Sequence, residues 1–341
     1  MLTRCASQCF APAQTETVAV FITITACTYR RLPGLRALLD GIARQRFDAI
    51  AAPRLAVVIA DNEGSEAARA ACESFARASS IPVTYVHEPR RGIPFARNAA
   101  LERLDDACDF LAIIDDDEVP EPGWLEELVR AQQASGADVV QGRVVPRFPE
   151  AAPRWIREGP FFGWPASLFD ESPPALADGA SLPSAATNNT LVRRAALGDP
   201  PLRFDTRFPF LGWDDALFFR TLRRDGARIV FSDRARVDEI VPPERARLRY
   251  LLRVAYRQGN KKLGMKLAFK KPDAGLGARI RLLLRSAIRG LAAIAEGVAA
   301  LALAPLHGGA VRRRAAIATL RIAGGVGMLA SVGGVRFEHY R

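Results

Sequence analysis

The residues best equipped for chemistry are Asp115-Asp116-Asp117-Glu118, which close the apolar run Phe110-Leu111-Ala112-Ile113-Ile114. A short apolar run bounded by turn signals predicts a strand buried on both faces. Side chains alternate along a strand, so Asp115 and Asp117 are expected on one side and Asp116 on the other. Carboxylates this close repel one another and stay ionised only beside a cation, hydrogen-bond donors or open water. Their hard oxygens suit Mg²⁺ or Mn²⁺, and those ions suit a diphosphate. A solvated acidic turn after a core strand explains the same four residues, so the rest of the chain must decide between them.

The elements that would position this stretch are regular. Strands are predicted over 18–27, 55–60 and 83–87, with helices over 33–46, 66–78 and 92–104 between them and the acidic run. Strands alternating with helices of this length predict right-handed βαβ units and a mostly parallel sheet flanked by helices. Ligands of such sheets sit at the carboxyl ends of the strands. Thr28-Tyr29-Arg30-Arg31, Asp61-Asn62 and the acidic triplet all fall there. No glycine-rich dinucleotide fingerprint follows the first strand and no Gly-Lys-Ser/Thr loop occurs, so bound phosphates would be held through a metal.

Further along, a helix is predicted over 124–135 and strands over 138–145, 185–193 and 229–231, with Asn188 and Asn189 early in the second of these. Residues 148–183 are irregular and rich in Pro, Trp and Phe, which fits either a functional lid or a packed surface excursion. Phe210-Leu211-Gly212-Trp213-Asp214-Asp215 leads into a helix over 216–224. An aspartate there can cap the helix or pair with its dipole as readily as do chemistry. Asp238 and Glu239 precede a Pro-Pro break.

With 341 residues and 49% hydrophobic content, the chain can form one large or two modest domains with an ample core. Its five cysteines show no paired spacing, which favours a reducing cytosol. Residues 1–17 are expected to be a disordered segment without signal-peptide character. The net charge of +11 hides an asymmetry: residues 245–341 hold 20 Lys and Arg against 3 Asp and Glu, and the first 244 hold 28 against 34. An acidic body over 18–244 is therefore followed by a basic region over 245–341. The latter opens with a basic helix over 245–271 and contains two apolar stretches, 290–306 and a glycine-rich 322–335. Neither stretch offers the roughly 18–20 clean apolar residues of a spanning helix, so association with an anionic membrane surface is expected, packing on the body being the alternative. The arginines flank apolar stretches and do not alternate with stacking aromatics, which argues against nucleic acid as a partner.

In this order and spacing, Thr28-Tyr29-Arg30-Arg31, Asp61, Gly92-Ile93-Pro94-Phe95-Ala96-Arg97-Asn98, the acidic triplet and Trp213-Asp214-Asp215 resemble a family 2 glycosyltransferase over about 18–262. Asp115 to Pro120, Thr187-Asn188-Asn189 and Val241-Pro242-Pro243-Glu244-Arg245 resemble the bacterial exopolysaccharide glucosyltransferases of the succinoglycan type, as does the closing Arg336 to Arg341. The resemblance implies a GT-A fold and an inverting, metal-dependent transfer of one sugar, glucose, from a UDP-sugar to a lipid-linked oligosaccharide. The enzyme would act at the cytoplasmic face of the inner membrane. It implies that Thr28, Tyr29, Arg30, Asp61, Arg97, Asp115 and Asp116 bind the nucleotide sugar, with Asp61 accepting from the base. Asp117 would hold Mg²⁺ or Mn²⁺, and Asp215, coupled to Asp214, would be the general base. Asn188, Asn189 and Trp213 would touch acceptor or sugar.

Two departures from the family pattern stand out. Asp214-Asp215 replaces the usual Glu-Asp pair, and Glu239 stands where a histidine is common, leaving it as a possible metal ligand. The Gln-x-x-Arg-Trp element of processive polymerases is missing. A nucleotidyltransferase uses the same sheet and metal logic and is the nearest enzymatic alternative. A scaffold with a decayed site is the non-enzymatic one.

Overall fold

A computed structural model describes residues 20–170, 175–207, 209–267, 275–305, 311–335 and 337. The expected disordered segment 1–17 and most of the closing hexapeptide lie outside them. The β-branched run that opens the described chain forms β1 (Phe21–Thr28), which pairs in parallel with β2 (Arg54–Asp61) and β4 (Phe110–Ile113). β3 (Val83–His87) extends this parallel half beyond β2. The connecting helices are α1 (Leu32–Ala43), α2 (Glu66–Ser79) and α3 (Ile93–Leu101). Pro33 and Pro94 stand in the first turns of α1 and α3, where a missing N–H costs nothing. Ser65 caps α2 by accepting from the Ala68 N–H at 3.4 Å.

Beyond β4 the sheet turns mixed. β7 (Thr190–Arg193) runs antiparallel to both β4 and β6 (Val139–Arg147), β8 (Ile229–Ile240) runs parallel to β6, and β5 (Glu118–Pro120) closes the edge antiparallel to β8. The order is β3-β2-β1-β4-β7-β6-β8-β5. α4 (Trp124–Ser135), α5 (Arg154–Arg157) and α6 (Asp214–Arg224) complete the body. Ile22, Ile24, Leu35, Leu38, Ile59 and Trp124 form the centre of the main core.

Two details correct the sequence reading at the site. β4 stops at Ile113, so the triplet lies on a turn, and the expected two-sided alternation of Asp115, Asp116 and Asp117 does not apply. β8 is longer than predicted, and its last residues pair with the unpredicted β5, which sets Glu118 opposite Glu239.

The C-terminal region folds as α7 (Leu248–Met265), α8 (Leu276–Leu303) and α9 (Val311–Val332). The glycine-rich stretch 322–335 falls largely in α9, which is continuous because its glycines are packing surfaces. A methyl group on Gly259 of α7 would lie 1.9 Å from the Gly324 carbonyl oxygen, and one on Gly327 would lie 2.0 Å from that of Tyr256. Gly325 meets the Gly290 carbonyl of α8 in the same way at 2.6 Å. α8 and α9, at 28 and 22 residues, are long and apolar enough to cross a membrane, which corrects the expectation that neither stretch reaches that length. The aromatic excursion packs on α7 and α9: Ile156, Phe161 and Leu168 share a cluster with Leu251, Ile317 and Leu320.

Because the backbones of α7 and α9 touch, a Gly259→Val substitution must separate them. It is expected to destabilise the chain by about 1–3 kcal/mol, the usual cost of overpacking. Thermal unfolding and limited proteolysis would register this as a lower Tm and faster cleavage within α9.

Candidate active site

A cleft of about 520 Å³ opens where β1, β2 and β4 end. All three triplet aspartates line it, with Thr28, Tyr29, Arg31, Asn62, Asn188, Glu239 and Arg245 among its other walls. Thr28 ends β1 opposite Asp61 and donates its hydroxyl to Asp116 Oδ2 at 2.9 Å. Arg30 has a φ of 57°, a left-handed turn that sends consecutive arginines in opposite directions. Arg30 leaves the cleft to pair with Glu63 at 2.9 Å. Arg31 enters it and places Nη1 2.9 Å from both Asp116 Oδ1 and Asp117 Oδ2. Arg31, and not the expected Arg30, therefore lines the cleft. The sequence could not separate the two arginines, because only the backbone angle does.

Asp61, expected to accept from the base, is not among the residues that line the cleft. It is 1% exposed, and its carboxylate accepts from the Glu63 and Ser65 N–H groups at 2.8 and 2.7 Å and from the Tyr85 hydroxyl at 2.7 Å. With three donors satisfied it holds the turn, and Asn62 is the residue that reaches the cleft. Asn62 Oδ1 accepts from the Gly92 N–H at 2.9 Å while its amide donates to the carbonyls of Glu88 and Arg90, pinning the loop before α3. Tyr29 stands at the rim, with the Arg91 guanidinium 5.9 Å from its ring centre.

Arg97, on α3, joins the two carboxylate groups that lie about a hundred residues apart in sequence. Its Nη1 bonds Asp214 Oδ2, and its Nη2 lies 3.7 Å from Asp115 Oδ1. The side chains of Arg97 and Asp214 are 11% and 5% exposed, so this pair is buried. Asp215, next in the first turn of α6, is partly exposed and accepts the Ala216 N–H at one oxygen, 2.6 Å away. Burial pushes the Asp115 carboxyl up to about 7, with Asp117 and Asp116 adding to the rise and Arg97 opposing it. Burial also raises Asp214, against the pull of Arg97, and raises Glu118 well above the carboxylate range, aided by the Asp115 charge. Glu118, which the sequence reading left without a role, accepts the Asp115 N–H at 3.1 Å and so shapes the triplet turn. Cys27 lines the cleft as well, but burial lifts its thiol to about 12, which leaves it a poor nucleophile.

The residues present fit a divalent cation. Asp117 and Glu239 both offer hard oxygens to the cleft, and Glu239 is raised by burial and then by the Asp117 charge. Such a pair calls for positive charge. Glu239 has one weak donor, the Gly163 N–H at 3.3 Å. Among the described residues no group of three ligating side chains converges. An ion here would take one or two carboxylates and complete its shell with substrate oxygens and water, as Mg²⁺ commonly does.

Three other expectations sort differently. Asn188 lines the cleft, and its Oδ1 is buried without a hydrogen-bond partner, as a residue awaiting a ligand donor would be. Asn189, expected to touch sugar or acceptor, is 0% exposed and spends its amide on Trp124, Arg143 and Ala235, tying α4 to β6 and β8. Trp213 is buried with Leu211, Leu217 and Met265, and its ring lies against Gly264, so it anchors the end of α7 and does not face the cleft. The sequence placed Arg31 and Asn62 at the strand ends and Glu118 in the acidic run without giving any of them a role, and it missed Arg245 and Tyr250 as cleft residues. The chain-level signal for Arg245 was its place in the Val241 to Arg245 segment, without any indication of direction.

Removing Arg97 would leave Asp214 buried and unpaired. Arg97→Met is expected to cost about 3–5 kcal/mol, as breaking buried ion pairs does. Adding Asp214→Leu should recover most of that stability in denaturant unfolding while catalysis stays lost.

Comparison with known proteins agrees with this geometry. Residues 23–199 match the model of glycosyl transferase family 2. The chain is 35% identical over 238 residues to the succinoglycan biosynthesis protein ExoM of Rhizobium meliloti (strain 1021), covering 70% of this chain and 72% of that one. The mannosyltransferase PcManGT from Pyrobaculum calidifontis, in complex with GDP-Man and Mn²⁺, superposes with a TM-score of 0.57 at 20% identity, over 91% of this chain and 87% of that one. S. aureus TarS 1–349 in complex with UDP gives 0.51 at 15% identity, over 94% and 93%. These structural likenesses bear on fold alone, a GT-A-type curled sheet. The sequence matches make the chain a glycosyltransferase and a member of glycosyl transferase family 2.

Proposed function

We propose that the chain transfers one sugar, glucose, from UDP-glucose to a lipid-linked oligosaccharide, with inversion, during assembly of a cell-surface polysaccharide. The observation that carries this reading is Arg97, a cleft residue that links the strand-end carboxylate triplet in the cleft to the start of α6 beside it, although neither Asp214 nor Asp215 lines the cleft itself. Polysaccharide assembly rests on the likeness to ExoM.

In this reading the nucleotide lies along the carboxyl ends of β1 and β2, with Tyr29 and Asn62 beside the base and Asp115 facing the ribose. Asp116 takes no direct part. It is 4% exposed and already holds Thr28 and Arg31, so it fixes the loop that forms the base pocket. Asp117, with Glu239, holds Mg²⁺ or Mn²⁺. When bound, the ion stabilises negative charge developing on the departing diphosphate. Asn188 Oδ1 accepts from a sugar hydroxyl. Asp215 keeps one oxygen on the Ala216 N–H and turns the other to the acceptor hydroxyl, whose proton it takes as the hydroxyl attacks the anomeric carbon. A single displacement from the face opposite the diphosphate inverts that carbon. Asp214, held by Arg97, positions α6 and keeps its neighbour in place.

The acceptor reading leans on the C-terminal helices. Ile280, Leu284, Ile288 and Leu291 are exposed on α8, and arginines 279, 281, 285 and 289 stand on the same stretch. Apolar side chains beside cations fit an anionic bilayer surface. We place the enzyme on the cytoplasmic side of the inner membrane, where nucleotide sugars are made.

The test is transfer from labelled UDP-sugars to lipid-linked saccharides in detergent, with the product anomer read by NMR. EDTA should abolish transfer and Mn²⁺ or Mg²⁺ restore it, and Asp117→Ala should stay inactive in either ion. Asp215→Asn should lower kcat by about 10²–10⁴-fold while leaving the donor KM nearly unchanged, as loss of a general base does. Metal-independent transfer, or a retained anomer, would contradict the reading.

A further inference from the structure

We propose that Arg31 and Arg245 are exchangeable counter-ions of Asp117, which hold it while the cleft lacks donor and pass to the donor's diphosphate when a divalent cation takes the Asp117 oxygens. The inference rests on the nucleotide-sugar reading above and adds an order of events and two residues to it.

The observation is a crowding of cations on one oxygen. Arg31 Nη1 lies 2.9 Å and Arg245 Nη1 3.1 Å from the same atom, Asp117 Oδ2. Arg31 reaches it from the loop after β1, and Arg245 from the segment between β8 and α7, 128 residues beyond Asp117. A carboxylate oxygen that carries two guanidiniums has little left for a metal ion. Yet Asp117 and Glu239 are the carboxylates that otherwise fit one, and Glu239 has no arginine bonded to it in the described structure.

Competition for one oxygen says when the arginines would let go. Arg31 and Arg245 are the cations on Asp117, whereas Arg97 is shared between Asp214 and Asp115 and does not reach it. A divalent cation entering alone must displace both guanidiniums from Asp117 Oδ2 and leave them without that partner, so it should bind weakly. A cation arriving with a diphosphate adds almost no net charge. The diphosphate oxygens also offer the displaced guanidiniums planar, charge-assisted hydrogen bonds as good as those they lose.

Arg245 has somewhere to pivot. Its guanidinium lies 6.0 Å from the ring centre of Tyr250, which lines the same cleft and stacks on Phe162 with centroids 6.2 Å apart. The aromatic face can keep contact with the cation as its hydrogen bonds change partner. Arg31 is more constrained, because Asp116 also holds it at 2.9 Å. Arg245 is therefore the mobile member and the better target for substitution.

Exchange of this kind couples the two ligands: each should raise the affinity for the other by the same factor. The experiment measures Mn²⁺ binding to the full chain by EPR, with and without UDP, and UDP binding by calorimetry, with and without Mn²⁺. In the wild type, UDP should tighten Mn²⁺ binding by about 5–150-fold, the usual range of such couplings. In Arg245→Gln, Mn²⁺ alone should bind several-fold tighter than in the wild type, while UDP with Mn²⁺ binds about tenfold weaker, so the coupling factor collapses. Arg245→Lys, which keeps the charge, should return both affinities toward wild type. Opposite changes in the two affinities cannot come from misfolding, which would weaken both. Mn²⁺ affinity that is unchanged or weaker in Arg245→Gln would overturn the exchange while leaving the nucleotide-sugar reading intact. Failure of the wild type to bind UDP in Mn²⁺ would overturn both.

Discussion

The buried bond between Arg97 and Asp214 is the constraint on which the rest of the site depends. It fixes the N-terminus of α6 against α3, and so sets where Asp215 stands relative to the triplet. Arg97 contacts both Asp115, just past the end of β4, and Asp214, beyond β7. Its position near Asp115 makes it part of the charge balance that keeps three neighbouring aspartates tolerable. Without that guanidinium, burial would push the Asp115 and Asp214 carboxyls further toward protonation, and the cleft would lose part of the negative lining that suits a cation.

The same logic explains why the cleft holds so many arginines. The GT-A-type sheet brings strand-end carboxylates together at low solvent exposure, and each needs a partner in the absence of ligand. Arg31 and Arg245 supply two of them from loops that sequence patterning cannot orient. The third, Arg97, comes from a helix and stays put. A division between fixed and exchangeable counter-ions follows from where each arginine is rooted.

Much of the body was legible in the chain. The alternation of β-branched runs with amphipathic stretches located β1 to β4 and α1 to α4 closely, since period and composition report local structure directly. The match between Thr28, Asp61 and the triplet as strand ends also held, because strand termini are marked by abrupt changes in polarity. What could not be read was direction. The φ at Arg30 decides which arginine enters the cleft, and the turn after Ile113 decides that all three aspartates do. Asn189 and Trp213 looked like ligand contacts by type and place, yet both are spent on packing between distant elements. The C-terminal helices were misjudged for a related reason. Glycines 324, 325 and 327 lower local helix propensity, but close backbone approach to α7 and α8 repays that cost, and only the tertiary structure reveals it.

The central claim is that Asp117 holds the ion that binds a nucleoside diphosphate in this cleft. Crystals of the full chain grown with UDP and Mn²⁺, measured at the manganese absorption edge, test it most directly. The account predicts one anomalous peak about 2–2.3 Å from an Asp117 oxygen, bridging to the diphosphate. UDP bound in the cleft with no manganese beside Asp117, or manganese held by other carboxylates, would contradict it.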